Sequence, residues 1–389
     1  MTAASVASLL GPEAIERLHQ PIENARGLGS AAYASEAFFR LEQERLFGRQ
    51  WTGVAFGHQI PNPGDALPVT VAGGIPAIVL RDRDGEVRAF HNVCRHRGSL
   101  VLTEPCKGRP TLRCPYHGWA YALDGALKAT PLWDGKRVAD PASLDRSSRG
   151  LVPIRCAVWA DVVFVDLSGE APPLETATAP FARLWAPYEM ERFRLAHYET
   201  GEIPANWKLA MEAAVENYHE EFVHQALPAR VDANGAKTFT ETTDGDMFGF
   251  TWAGDSSLRS TTPLVPLRSN RPEDERTDSL CFLFPNTQLS LFGSLAVRTI
   301  WAPRAVDKTQ WLTSWYLVDD AATDDAHADD RAEMVRYWRQ LRGEDGKVLD
   351  LMQRGRRSPV ADDIKLSPFW EGLILHFHRK LVDTMAASA

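Results

Sequence analysis

The sequence predicts an α+β protein in two parts: a small all-β domain, then a larger domain in which helices pack on an antiparallel sheet. Three observations lead there. The chain has 389 residues, more than one hydrophobic core usually serves, so two domains are the natural division. From Trp51 the apolar residues come as short Val, Ile and Phe runs cut by turn signals, the texture of an antiparallel β region. Past residue 170 that texture gives way to helical periodicities around a long strand-rich block.

Ala14 to Phe47, rich in Ala, Glu, Leu and Arg, reads as amphipathic helix punctuated by Gly27 and Gly29, so residues 1–50 form an arm packing with the larger domain. The β region that follows has its turns at Pro61 to Gly64, Asp82 to Gly85 and Asp124-Gly125, and continues through Val162 to Val165. The small-residue and proline-rich stretch Gly169 to Pro173 then marks a boundary, giving a small domain over 51–168 and a larger one over 169–389. The larger domain opens with a helical block from Asn206 to His224 and continues with strands from Leu280 to Leu317. Helices are expected over Asp329 to Leu341, Asp345 to Arg354 and Phe369 to Met385.

Composition narrows the function. The formal charge is -8 and the Lys and Arg residues are dispersed, so no basic stripe points to nucleic acid or an anionic membrane. Five cysteines at irregular spacing argue against a disulfide framework and fit a reducing compartment. No window offers about 20 consecutive apolar residues. The opening stretch also lacks the basic region and apolar run of a secretory signal, so the expectation is a cytoplasmic protein without a membrane partner.

Two constellations carry chemistry. In the β region Cys94-Arg95-His96 is followed by Cys114-Pro115-Tyr116-His117, two Cys-plus-His pairs one loop apart. Thiolates and imidazoles in this number suit either a tetrahedral zinc or an iron-sulfur cluster in which two imidazoles replace two thiolates and raise the potential. Zinc sites usually keep Cys pairs and His pairs together, whereas each loop here mixes them. Cys106, Cys156 and Cys281 are assigned structural places.

The second constellation is Glu216-Asn217-Tyr218-His219 with His224 five residues on. Residues five apart on an ideal helix diverge by about 140°, so these histidines can share a metal only where the helix distorts or ends. That spacing disfavours a zinc protease, whose histidines stand four apart. Two histidines and one carboxylate leave iron(II) open positions for dioxygen and substrate. The carboxylate expected is Asp345, with Asp350 in reserve; the plain alternative is that the acids at Glu344-Asp345 merely open a helix.

On Cys94, His96, Cys114 and His117, on Asn206-Trp207-Lys208, on the block from Glu216 to His224 and on Glu344-Asp345, the chain resembles the α subunits of Rieske non-haem iron oxygenases, from about Arg40 to the C-terminus. The resemblance implies a Rieske [2Fe-2S] domain and a helix-grip, START-like catalytic domain. It also implies cluster ligation by Cys94, His96, Cys114 and His117, and a mononuclear iron on His219, His224 and Asp345. Glu216 would link the iron site to the cluster histidine of a neighbouring subunit, His117, in a homotrimer. The chain has no Gly-x-Gly-x-x-Gly fingerprint and no plant-type ferredoxin spacing, so NAD(P)H acts only through a separate reductase, with or without a ferredoxin.

Glu216, the Glu-x-Tyr-His run and Gln353 to Ser358 resemble the branch acting on choline, carnitine and betaine-type compounds, while Glu220 and Arg356-Arg357 depart from it. The implied function is a terminal oxygenase that hydroxylates or demethylates a small quaternary ammonium compound with dioxygen. An aromatic ring-hydroxylating dioxygenase is the alternative, and a Rieske electron-transfer protein is the alternative of another class. Trp252, Trp301, Trp311 and Trp315 could form an aromatic cage for a cation, but large aromatics on strands are more often sheet core.

Overall fold

The computed structural model describes residues 5–135, 144–224, 227, 230–253 and 277–387. The chain divides into two units, one of Phe47–Ala171 and one of Met1–Leu46 with Pro172–Ala389.

The N-terminal stretch is built of short helices: α1 (Val6–Leu10), α2 (Pro12–Leu18), α3 (Ala31–Ala34) and α4 (Glu36–Glu42), the last running into a π-helical turn over Gln43–Phe47. This corrects the helix expected over Ala14 to Phe47, because residues 19–30 are not helical. The reason is contact with the C-terminal region. Arg26 bridges to Lys365, and a Cβ added at Gly29 would lie 2.9 Å from Asp362 Oδ1, so close approach replaces helical continuation there.

In the smaller unit, β1 (Thr52–Phe56), β2 (Ala66–Val71), β3 (Ile75–Arg81) and β4 (Val87–His91) precede a small sheet of β5 (Leu112–Arg113), β6 (Ala120–Tyr121) and β7 (Leu127–Ala129). Strands β8 (Pro153–Trp159) and β9 (Val162–Asp166) complete a six-stranded antiparallel sheet in the order β1-β9-β8-β4-β3-β2. Ile78, Leu80, Phe90, Trp119, Tyr121 and Leu151 share one buried core with Cys94 and Cys114. The loops bearing those cysteines therefore hang from a rigid frame.

The larger unit resumes with α5 (Leu174–Trp185), β10 (Phe193–Ile203), α6 (Trp207–Val215) and the single turn α7 (Glu220–Val223). Then come β11 (Thr240–Asp244), β12 (Met247–Ala253), β13 (Thr277–Leu283), β14 (Thr287–Phe292), β15 (Leu295–Ala305) and β16 (Lys308–Val318). They make a seven-stranded antiparallel sheet in the order β10-β16-β15-β14-β13-β12-β11, with β14 buried on both faces. The helices α8 (Ala328–Gly355) and α9 (Gly372–Ala387) follow.

Helix α8 corrects a second expectation. The two helices read as Asp329 to Leu341 and Asp345 to Arg354 are one helix of 28 residues. Gly343 and Gly346 weaken the helical pattern without breaking it, since packing of α8 against α6 and β10 offsets a loss of about 1 kcal/mol per glycine. Among the described residues no helix is long and apolar enough to cross a membrane.

Candidate active site

Both cysteine loops close on themselves in the same way. The amide of Gly98 donates to the Cys94 carbonyl and that of Cys94 to the Ser99 carbonyl; Gly118 and Cys114 repeat the pair with Cys114 and Trp119. Gly98 and Gly118 sit at φ +78° and +70°, where a side chain would be strained. The turns bring the His96 and His117 rings to 4.6 Å between centroids, and His96 stacks on Trp119 at 4.8 Å. Tyr121 Oη lies 3.2 Å from Cys94 Sγ and accepts from the Arg95 amide.

This set fits a cluster better than a resting dithiol. Burial pushes the Cys94 thiol above its usual value, and a bound metal is what makes such a sulfur a thiolate. His96 Nδ1 is buried and has no hydrogen-bond partner, as a nitrogen reserved for a metal would be. Of the other cysteines, Cys106 pairs its backbone with Ala66, Cys156 lies in β8 and Cys281 is buried in β13. All five cysteines are free of disulfides.

The second site begins at the N-terminus of α6. Asn206 caps the helix by accepting from the Lys208 amide at 3.0 Å, while its own amide nitrogens hold Gln353 and Val306. Lys208 Nζ meets Glu42 at 2.6 Å and the Trp207 indole donates to the same carboxylate, all fully buried. Asn206-Trp207-Lys208 thus ties the start of α6 to α4 and α8.

It ends at Glu216, whose extended backbone stops the helix while its carboxylate accepts from the His219 amide and ring Nδ1. His219 and His224 then stand at the two ends of the turn α7, which lets residues five apart turn toward each other; their rings lie 5.2 Å apart. His224 Nδ1 is held by Glu344 at 2.8 Å. Both Nε2 atoms are left facing Asp345 Oδ1, at 3.5 Å from His219 and 2.9 Å from His224.

One ligand atom from each of His219, His224 and Asp345 lies within 4.8 Å of the other two. Asp345 Oδ1 is buried without a hydrogen-bond partner, so the three atoms converge on a common point rather than on one another. Two nitrogens and one carboxylate oxygen on one side of a point are the donor set of a non-haem iron(II) site with open positions. Asp345 stands in the middle of α8, which removes the reading of Glu344-Asp345 as helix-opening charges. Asp350 instead pairs with Arg354 at 3.7 Å, away from the histidines.

A cavity of about 110 Å³ opens against this trio, walled by Ala210, Leu280, Trp301, Trp338 and Leu341. A second, of about 410 Å³, touches His219 and Asp345 from the side of Ile364, Leu366 and Ile374. The aromatic-cage residues are largely engaged with the chain's own cations. Arg342 lies over Trp311 at 3.7 Å and near Trp315, and Arg230 lies over Trp252 at 5.7 Å, leaving Trp301 to line the cavity. Sequence reasoning passed over Arg230, Arg342 and Trp338 and gave Glu344 no role of its own within the Glu344-Asp345 string; the available signal was that Arg342 and Trp338 share the face of α8 that carries Asp345.

Comparison with known proteins bears on both sites. Residues 189–387 match the family described as ring hydroxylating alpha subunit (catalytic domain), and residues 50–139 match the Rieske [2Fe-2S] domain. The chain is 27% identical over 365 residues to the carnitine monooxygenase oxygenase subunit of Escherichia coli, an alignment covering 90% of this chain and 91% of that protein. It is 33% identical to the glycine betaine monooxygenase oxygenase subunit of Pseudomonas aeruginosa over 195 residues, half of this chain but only 44% of that protein. Two solved structures share the fold: a quaternary ammonium Rieske monooxygenase in complex with L-carnitine (TM-score 0.76, 23% identity, 95% of this chain and 98% of that one) and naphthalene 1,2-dioxygenase from Rhodococcus (TM-score 0.78, 21% identity, 97% and 99%).

Proposed function

The chain belongs to the ring hydroxylating alpha subunit family with a Rieske domain ahead of its catalytic domain, and from that premise we propose that it is the terminal oxygenase of a multicomponent system that oxidises a small quaternary ammonium compound. It is an oxidoreductase, and its cofactors are a Rieske [2Fe-2S] cluster and a mononuclear non-haem iron. The observation that carries the proposal is the convergence of His219, His224 and Asp345 beside a cavity within a chain that also holds the cluster loops. The similarity to oxygenase subunits named for carnitine and glycine betaine supports the substrate class.

In this reading Cys94, His96, Cys114 and His117 hold the cluster, and His219, His224 and Asp345 hold the iron. When bound, the two groups supply single-electron transfer and the activation of dioxygen. The protein's own residues do the rest. Glu216 and Glu344 fix the ring orientation of His219 and His224, each leaving Nε2 for the metal. Leu280, Leu341 and Ala210 keep bulk water from the reacting face. Electrons come from an NAD(P)H-dependent reductase, with or without a ferredoxin.

The same reading makes the active form a cytoplasmic homotrimer in which Glu216 faces the cluster histidine, His117, of the adjacent subunit. The test is anaerobic purification with EPR of the reduced protein and iron and sulfide analysis. About three irons and two sulfides per chain, with turnover of glycine betaine or carnitine coupled to oxygen uptake, are expected. Two irons and no third would return the chain to an electron carrier. Turnover of an aromatic acid in place of the betaines would make it an aromatic ring-hydroxylating dioxygenase, the reading that the apolar walls Trp301 and Trp338 favour.

A further inference from the structure

We propose that Arg342 anchors a carboxylate of the substrate, so that the compound oxidised carries an acid group: a betaine rather than an amino-alcohol such as choline. The inference rests on the oxygenase reading above and narrows its substrate class.

Arg342 lies three residues before Asp345 in α8, on the same helix face, and lines the cavity that touches the histidines. Its guanidinium is stacked on the Trp311 indole, with Cζ 3.7 Å from the ring centroid, and Nη2 donates to Thr313 Oγ1 at 2.9 Å. One edge of the fork is therefore fixed. The other is not: Nη1 is buried without a hydrogen-bond partner, and among the described residues no carboxylate lies within ion-pair distance of Arg342. Burial pushes the guanidinium down to about 10, against the opposing charge of Glu199 and Asp345.

The remaining charges in the cavity are already committed. Arg230 spends its guanidinium on Glu220, with Nη2 3.2 Å from Oε1, and Glu216 is bonded to His219. A second buried donor without a partner, Trp301 Nε1, belongs to a residue of the same wall. A stacked, immobilised guanidinium with an idle donor edge is the geometry that takes a carboxylate through two parallel hydrogen bonds. Arg342 covers a face of Trp311 and lies near Trp315, so these two indoles offer a substrate ammonium less than the idle edge of the fork offers its acid end.

The test uses the cluster- and iron-loaded protein with its reductase. Two matched pairs are compared, glycine betaine with choline and benzoate with benzyl alcohol, each by calorimetric binding and by kcat/KM, with acetate as the minimal anionic probe. The expected result is preference for the acid in each pair that binds, and a fall of about 100-fold in that acid-to-alcohol ratio in Arg342→Gln. Arg342→Lys, which keeps the charge without the fork, should retain part of the preference, and Trp301→Phe should lower it a few-fold; thermal unfolding checks that each variant folds.

An unchanged ratio in a folded Arg342→Gln protein overturns the anchor while leaving the oxygenase reading intact. An Arg342-dependent ratio seen only for benzoate keeps the anchor and overturns the quaternary ammonium reading. If neither pair binds and acetate binding does not depend on Arg342, the anchor is overturned as well.

Discussion

Glu344 accepts a hydrogen bond from His224 Nδ1 at 2.8 Å, and the next residue, Asp345, faces the other nitrogen of the same ring at 2.9 Å. Two consecutive residues of α8 thus address both ends of one imidazole. Gln340, one turn earlier, holds Glu344 in place with a 2.9 Å hydrogen bond. Removing the carboxylate frees the ring to rotate and to take the wrong tautomer. Glu344→Ala should weaken iron(II) binding by about 10- to 100-fold. Metal titration of the variant reads this, and the reduced cluster's EPR signal should not change.

Asp345 and Asp350 are separable by the same kind of experiment. Asp345→Ala removes the only carboxylate oxygen that converges with both His219 and His224 among the described residues, so the third iron and all turnover should be lost while the cluster remains. Asp350 is partly exposed and faces Arg354, so Asp350→Ala should keep three irons per chain. Iron loss from the second variant instead of the first would transfer the assignment.

Metal binding should be strongly pH-dependent. Burial lowers the His219 pKa, but the neighbouring carboxylates of Asp345 and Glu216 more than reverse this and raise it to about 10 from 6.5 in the metal-free protein. A metal must displace that proton. His224 is shifted upward as well, so apparent affinity should rise by at least about tenfold per pH unit through neutrality and level off near the raised value, with at least one proton released per metal bound. The sign for stability is opposite: the folded metal-free state binds more protons than the unfolded chain between these limits. Its stabilisation by His219 is complete below 6.5 and is lost as pH rises toward about 10. Proton-release measurements and thermal unfolding of the metal-free protein check the two trends.

The buried pair Lys208–Glu42 sets a stability prediction. Both side chains are fully enclosed, 2.6 Å apart, beside Trp207 and Tyr33. Lys208→Met leaves the Glu42 carboxylate buried and unpaired, at a cost of about 3–5 kcal/mol. Adding Glu42→Leu should recover much of that loss, because the pair is then replaced by apolar groups. Chemical denaturation of the two proteins distinguishes pair loss from simple misfolding.

How far these sites could be read beforehand follows from sequence distance. The cluster loops are local: each spans five residues, closes with its own glycine, and announces its ligands as Cys-x-His or Cys-x-x-His. His219 and His224 were legible for the same reason. Asp345 lies 121 residues from His224 and was reached as part of an acidic string and then through resemblance, with its one helix read as two at Gly343 and Gly346. The strands β10, β11 and β12 were not read at all, since charged residues such as Arg194, Glu199 and Glu202 interrupt the alternation in β10 and Gly249 interrupts β12. Arg342 offered no more than its place on the Asp345 face of α8, because its meaning depends on Trp311 arriving from β16.

That arrival depends in turn on Gly201. Gly201 in β10 pairs with Trp311 in β16, and a Cβ added there would lie 2.6 Å from Trp311 Cζ2. Real Cβ atoms do not approach an aromatic carbon so closely, so Gly201→Ala must push the indole out of its place, and a rigid ring has no flexible end with which to yield. The strain should cost about 1–3 kcal/mol of stability. It should also unseat Arg342, whose guanidinium rests on that ring, by an amount comparable with one cation–π contact of about 0.5 to 2 kcal/mol. The expected phenotype is a lowered thermal midpoint together with a raised KM for carboxylate-bearing substrates, with iron content unchanged because His219, His224 and Asp345 do not touch Gly201. A midpoint loss without any change in KM would show that Arg342 holds its position independently of Trp311.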